Sequence, residues 1–157
     1  MSAEKILRKE VVVAAPVSAV WRAWTTVEGV RGFFAPDARI EVRVGGAYEI
    51  LFDLDKPPGR QGGEGCKVLE VEPERRLVFS WNFPPHMPIR SEFTRGTLEF
   101  AATADGKTRV TFTQTGWKEG KAWDEGFAYF ERAWEVVLRR LQHRFEAGPV
   151  DGKRPPG

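Results

Sequence analysis

The stretch from Gly126 to Phe145, GFAYFERAWEVVLRRLQHRF, puts five aromatic rings into twenty residues. Whatever this chain folds into must supply a surface for them. An α-helix advances about 100° per residue. With Trp134 as the reference, Trp123, Phe127, Phe130, Val137, Leu138, Leu141 and Phe145 all fall within about 60° of it. Arg132, Glu135, Arg139 and His143 fall on the opposite side, and Tyr129 points away by roughly 140°. The segment therefore reads as one long helix with an apolar stripe and a charged back. Gly120 stands before it and Gly148-Pro149 after it as stops. Burying eight large apolar side chains contributes roughly 1.5–3 kcal/mol each as an upper estimate, so the stripe demands a broad apolar partner.

The rest of the chain contains one. From Arg39 onward the apolar period changes from helical to two. RIEVRVGGAYEILFDL reads as strand, Gly-Gly turn and strand, with Tyr48, Ile50, Phe52 and Leu54 on one face. GCKVLEVEPERRLVFSWNF reads as a hairpin turning at Pro73-Glu74. Leu77, Phe79, Trp81 and Phe83 share one face of its second strand, and Val78, Ser80 and Asn82 the other. Its first strand has Val68, Leu69 and Val71 out of simple alternation, which suggests a bulge. SEFTRGTLEFAATADGKTRVTFTQTGW gives a longer hairpin with Asp105-Gly106 at the tip and Leu98, Phe100, Val110 and Phe112 facing inward. Gly96 is a second candidate bulge, which leaves the facing of Glu92 open. Ahead of these, ILRKEVVVAAP reads as a first strand. Val17, Val20, Trp21 and Trp24 follow at helical spacing, and a second short apolar turn spans Val27 to Phe34. DKPPGRQGGE and FPPHMPIR are loops by composition.

The expected order is one strand, two short helices, six strands and a long helix: an α+β fold in which a curved antiparallel sheet wraps the C-terminal helix. The 157 residues suit a single domain, expected over 1–147, with GPVDGKRPPG at 148–157 as a disordered tail. A net charge of +2 is too small to argue for nucleic acid, and Arg75-Arg76 and Arg139-Arg140 read as solvated faces. No run approaches 18 apolar residues, so no membrane span is expected. The N-terminal MSAEKILRKE lacks the apolar core of a secretory signal. A single cysteine, Cys66, fits a reducing cytoplasm.

In this order the segments resemble the START-like, helix-grip superfamily, also called SRPBCC. The group that matches is the one related to the C-terminal domain of the heat-shock-protein-90 ATPase activator. The resemblance is carried by APVSAVWRAWTTVEGVRGFF at 15–34, RVGGAYEI at 43–50, GCKVLEVEPERRLVFSW at 65–81, GTLEF at 96–100, RVTFTQTGW at 109–117 and AWEVVLRRL at 133–141. The family usually has proline where Val27 stands, tryptophan at Phe33, and Gly-Trp where this chain has Ala133-Trp134. In the eukaryotic activator a separate N-terminal domain helps engage the chaperone, and this sequence has no counterpart of it.

The resemblance implies a cavity between helix and sheet, while the residues alone show only apolar walls. Two outcomes remain open: a closed, filled core, or a ligand-sized void, for which a volume above roughly 300 Å³ is the criterion. The expected ligand-binding residues are Tyr48, Phe52, Phe79, Trp81, Phe112, Gln114, Trp123, Phe127, Phe130 and Trp134, entered through the loops at 55–64 and 84–90. Gln114 continues the inward phase of Val110 and Phe112, which puts its amide near the mouth. An ordinary hydrogen bond would explain it equally well.

No catalytic residue, metal ligand or cofactor is expected. His86 sits in a proline-rich loop, and His143 on the back of the helix. Cys66 has no histidine partner by pattern. Asp124 and Glu125 suit the positive end of the helix dipole. Gly45-Gly46 and Gly62-Gly63 are turns without a phosphate-loop pattern.

The leading functional expectation is a non-catalytic module holding a small apolar ligand. An enzyme resembling polyketide cyclases and dehydratases is the second. The third is an interaction protein for a chaperone, with an exposed patch near Arg31, Phe33 and Phe34. The chain is expected to be a monomer or a homodimer.

Overall fold

The structure, a computed structural model, describes residues 5–147; the expected tail at 148–157 lies outside them. Ten elements follow in order: β1 (Leu7–Val13), α1 (Val17–Thr25), α2 (Val27–Arg31), β2 (Asp37–Ile40), β3 (Tyr48–Leu51), β4 (Val68–Glu72), β5 (Arg76–Trp81), β6 (Thr94–Ala102), β7 (Thr108–Thr115) and α3 (Lys121–Ala147). This is the order read from the periodicities. No helix of the described residues is long and apolar enough to cross a membrane.

The main sheet runs β1-β7-β6-β5-β4, antiparallel throughout. Successive hairpins make β4 to β7 a meander, and β1 closes the far side by pairing with β7, Leu7 opposite Gln114 and Val13 opposite Thr108. The β2–β3 ribbon is stitched to this sheet by a bridge between Ala47 and Lys67 and by the Tyr48 N–H donating to the Cys66 carbonyl. The sheet curves around α3. Leu77, Phe79, Leu98, Val110 and Phe112 are fully buried on its inner face, and Trp134, Val137, Leu138 and Leu141 of α3 are buried against it. His143, Arg132, Glu135 and Arg139 are exposed, as the helix wheel requires. Trp134 lies at the centre, its ring 4.0 Å from Phe112 and 5.2 Å from Trp81 between centroids.

The structure corrects several local readings. β3 stops at Leu51 instead of running on to Leu54. The N–H groups of Phe52 and Asp53 both donate to the Gln61 carbonyl, which turns the chain into the 55–64 loop and leaves Leu54 48% exposed. The β2–β3 connection is the longer segment 41–47, not a two-residue turn. Within it Gly45 takes φ +84°, and a side chain at Gly46 would meet the Glu41 carbonyl at 2.3 Å. The β4 register does shift between Val68 and Glu70. Gly96 carries no bulge; it pairs regularly with Phe79 and Gln114. Its function is space, since a Cβ there would lie 2.7 Å from the Phe79 ring. Glu92 consequently plays no inward part and pairs with Lys118 at 2.8 Å.

Phe79 is wholly buried and cannot swing aside. Replacing Gly96 with alanine is expected to cost about 1–3 kcal/mol by overpacking, measured as a shift of the urea midpoint at constant m-value. An unchanged midpoint would contradict the close approach.

The patch expected near Arg31, Phe33 and Phe34 is absent. Phe33 and Phe34 are 0% and 1% exposed, because α2 folds back so that both rings pack edge-on against Trp24. Gly29 permits this return, since a Cβ at that position would lie 2.3 Å from the Arg22 carbonyl.

Candidate functional site

Between α3 and the loops at 55–64 and 84–90 lies an apolar void of about 50 Å³. Phe34, Phe52, Trp81 and Trp134 form its floor, and Tyr129, Phe130, Ala133 and Val137 its helical wall. Gly62, Gly63, Pro84, Pro85 and Arg90 close the loop side, with Asn82 and Phe83 between. The volume accommodates water and falls well short of the roughly 300 Å³ of a small-molecule pocket. In this conformation the core is mostly filled.

Of the residues read from sequence as ligand-binding, Phe52, Trp81, Phe130 and Trp134 reach the void. Phe79 and Phe112 sit behind them, packed with Trp134. Trp123 stacks edge-on against Phe83, and Phe127 against Trp117, one ring away from the void.

Tyr48 is wholly buried under the α1–α2 corner. Burial pushes its phenol well above the ordinary range, so it remains neutral and donates to the Trp24 carbonyl at 2.9 Å.

Gln114 is not near a mouth: it is 0% exposed. It lies near the end of β7, between Leu7 of β1 and Gly96 of β6, with Trp134 of α3 reaching it. Both ends of its amide are engaged there. The Trp134 Nε1–H donates to Gln114 Oε1 at 3.1 Å, Gln114 Nε2 donates to Thr94 Oγ1 at 2.7 Å, and the Thr94 hydroxyl donates to the Trp81 carbonyl at 3.1 Å. Apolar packing alone lets a helix slide or rotate. This chain of directional bonds sets the Trp134 indole and ties it to the backbone of Trp81 in β5.

The loop side is held differently. Arg90 donates from Nη1 to the carbonyls of Gly62 and Phe83, both at 2.6 Å, and from Nη2 to the Gly59 carbonyl at 2.7 Å and Glu64 Oε1 at 3.0 Å. Glu64 in turn accepts from the backbone N–H groups of Gly59, Gln61 and Gly62. Both side chains are largely covered, 19% and 13% exposed, so this pair is worth more than a surface bridge. Asn82 adds two bonds from Nδ2 to the carbonyls of Gly62 and Glu64. The two loops are thus tied together by polar contacts centred on one guanidinium and one carboxylate.

Burial pushes the Glu64 carboxyl up, but the backbone N–H groups of Gln61, Gly62 and Gly59 together hold it below its ordinary value. A carboxylate depressed in the folded state contributes stability above its unfolded value and loses that contribution as pH falls through the folded one. The 55–64 loop is therefore expected to loosen below about pH 4, read as lower hydrogen-exchange protection factors for the Gln61 and Gly62 amides. Protection that stays constant down to pH 3 would argue against the carboxylate's role.

Cys66 is buried, with its thiol pushed up to about 12 by that burial. His86 is exposed, and no cluster of potential metal ligands exists among the described residues.

The sequence reading missed Tyr129, Asn82, Glu64 and Arg90. Tyr129 faces away from the apolar stripe, but the loops wrap past the helix edge and reach it. Asn82 follows the last residue of β5, where strand alternation ceases to apply. Glu64 did carry a signal, standing among three glycines in GGEG, where unencumbered backbone N–H groups can converge on a carboxylate. Arg90 carried none.

No curated protein matches the chain. Among solved structures, protein MLL2253 from Mesorhizobium loti aligns with a TM-score of 0.75 at 20% identity, covering 93% of this chain and 100% of its own. The Aha1 dimer from Colwellia psychrerythraea aligns at 0.65 and 22%, covering 92% and 98%. DynU16, a protein in the dynemicin biosynthetic locus, aligns at 0.71 and 22% over 96% of this chain but 50% of its own, so this chain spans half its length. At such identities the likeness establishes the fold. The family itself is established by the profile described as "Activator of Hsp90 ATPase homolog 1-like protein", which matches residues 14–146, from the end of β1 through almost all of α3. The chain belongs to that family of Hsp90 ATPase activator homologue 1-like proteins, built on the START-like helix-grip fold.

Proposed function

We propose that this protein is a non-catalytic binding module that takes a small, mostly apolar ligand between α3 and the two loops. The supporting observation is the asymmetry of the void. Its floor is aromatic rings in close packing, Trp134 among them held by Gln114, and its helical wall is a face of the packed α3, while its loop side is closed by hydrogen bonds centred on Arg90 and Glu64. A packed wall resists displacement, whereas a hydrogen-bonded loop exchanges its partners for water at small net cost. The void grows by movement of the loops, and a ligand slides over Trp81 and Trp134.

Catalysis is the weaker reading. General acid–base chemistry needs a titrating group within reach of the bound molecule. The residues lining the void include no histidine and no carboxylate; the nearby Glu64 is committed to Arg90 and to backbone amides.

The test is a titration with 2-methylnaphthalene, followed by the indole N–H resonances. Saturable shifts of Trp81 and Trp134 are expected. Trp21, which packs against Phe100 elsewhere, serves as the unperturbed control. Shifts that never saturate, or that move all indoles alike, would refute a defined site.

A further inference from the structure

We infer that Asn82 is a specificity-determining residue of this site, and that the preferred ligand is an aromatic molecule carrying a hydroxyl or N–H donor. The inference rests on the binding reading above. Asn82 lines the void and is only 6% exposed. Its Nδ2 donates to the carbonyls of Gly62 and Glu64, at 3.3 and 3.1 Å. Two carbonyl oxygens can only accept, so the amide is oriented with its nitrogen toward them and its oxygen away. Oδ1 accepts from no group among the described residues.

Among the described residues the sealed side-chain polar atom without a partner is Trp24 Nε1, so Asn82 Oδ1, which has no protein donor, keeps contact with accessible space and is met there by water. The void can hold water to meet it. A ligand that displaces that water without replacing its hydrogen bond loses affinity, and one that brings its own donor keeps it. The Arg90 guanidinium and the Gln114 amide do not compete for this role. The four N–H donors of the Arg90 Nη atoms are spent on the two loops, and Gln114 is spent on Trp134 and Thr94. The remaining lining is largely ring face: Phe34, Phe52, Trp81, Phe130 and Trp134. Rings recognise a flat apolar body, and the Asn82 oxygen reads a donor on its rim.

The experiment compares 2-naphthol with 2-methylnaphthalene, which differ by a hydroxyl in place of a methyl, on the full-length protein and on Asn82→Leu. The wild type is expected to bind 2-naphthol about three- to tenfold more tightly, the scale of one neutral hydrogen bond. Asn82→Leu should bring that ratio close to one while still binding 2-methylnaphthalene. In the wild type, the Asn82 side-chain amide resonances should shift with 2-naphthol and stay in place with 2-methylnaphthalene. This last reading decides the question even if the variant does not fold. Equal affinities in the wild type, a ratio unchanged in Asn82→Leu, or amide resonances indifferent to the hydroxyl would overturn the inference and leave the binding module intact. If neither probe binds the wild type saturably, the binding module itself falls, and the role of Asn82 with it.

Discussion

Replacing Trp134 with alanine is expected to destabilise the protein by about 3–5 kcal/mol, the range for removing a buried aromatic ring. The indole contacts Phe34, Trp81 and Phe112 within 6 Å between ring centroids, and its removal opens a cavity that these fixed rings cannot collapse to fill. A second cost comes from Gln114 Oε1, which loses its donor while remaining at 0% exposure; a buried acceptor left unmet costs about 1–3 kcal/mol. Trp134→Phe separates the two terms. It restores most of the packing but not the bond, so its loss should be smaller than that of alanine and comparable to that of Gln114→Leu. Urea denaturation with a constant m-value is the measurement. A loss below 1 kcal/mol for alanine would mean that α3 is not gripped at this point.

Replacing Arg90 with methionine is expected to act locally. Methionine keeps much of the stem's apolar contact and removes the guanidinium bonds to Gly59, Gly62, Phe83 and Glu64. Water can reach these groups once the loops part, so the global loss is expected to be modest, about 1–2 kcal/mol. Opening of the loops is another matter. Each 1.4 kcal/mol withdrawn from the closed state multiplies the open population tenfold, so proteolytic nicking within 55–64 or 84–90 should rise by about tenfold or more. On the binding reading, association with 2-methylnaphthalene should also become faster. Unchanged nicking with unchanged association would show that the loops are held by packing and not by the guanidinium.

The resemblance to activators of a chaperone ATPase raises the question of a protein-binding face. Phe33 and Phe34 do not provide it, being sealed beneath Trp24. A two-residue apolar pair in the turn after a short helix has no periodicity long enough to show which side is covered, and here the fold-back at Gly29 decided it.

What the amino-acid sequence determined by itself is the architecture. Element order, the hairpin tips at Glu74 and Gly106, where φ is +63° and +82°, the bulge in β4 and the buried face of α3 all follow from local periodicity and turn chemistry. Those signals repeat along the chain and do not depend on what lies across the core. The site is another matter. Tyr129, Asn82, Glu64 and Arg90 come from a helix edge, a strand end and two loops, where no period operates. Their partners are backbone carbonyls and N–H groups whose positions exist only once the loops have closed. Gln114 shows the same limit from the other side. Its strand phase correctly turned it inward, but whether that amide would meet a ligand or an indole depended on where α3 came to rest. Periodicity reports which face is buried; only the assembled tertiary structure decides what each buried polar atom touches.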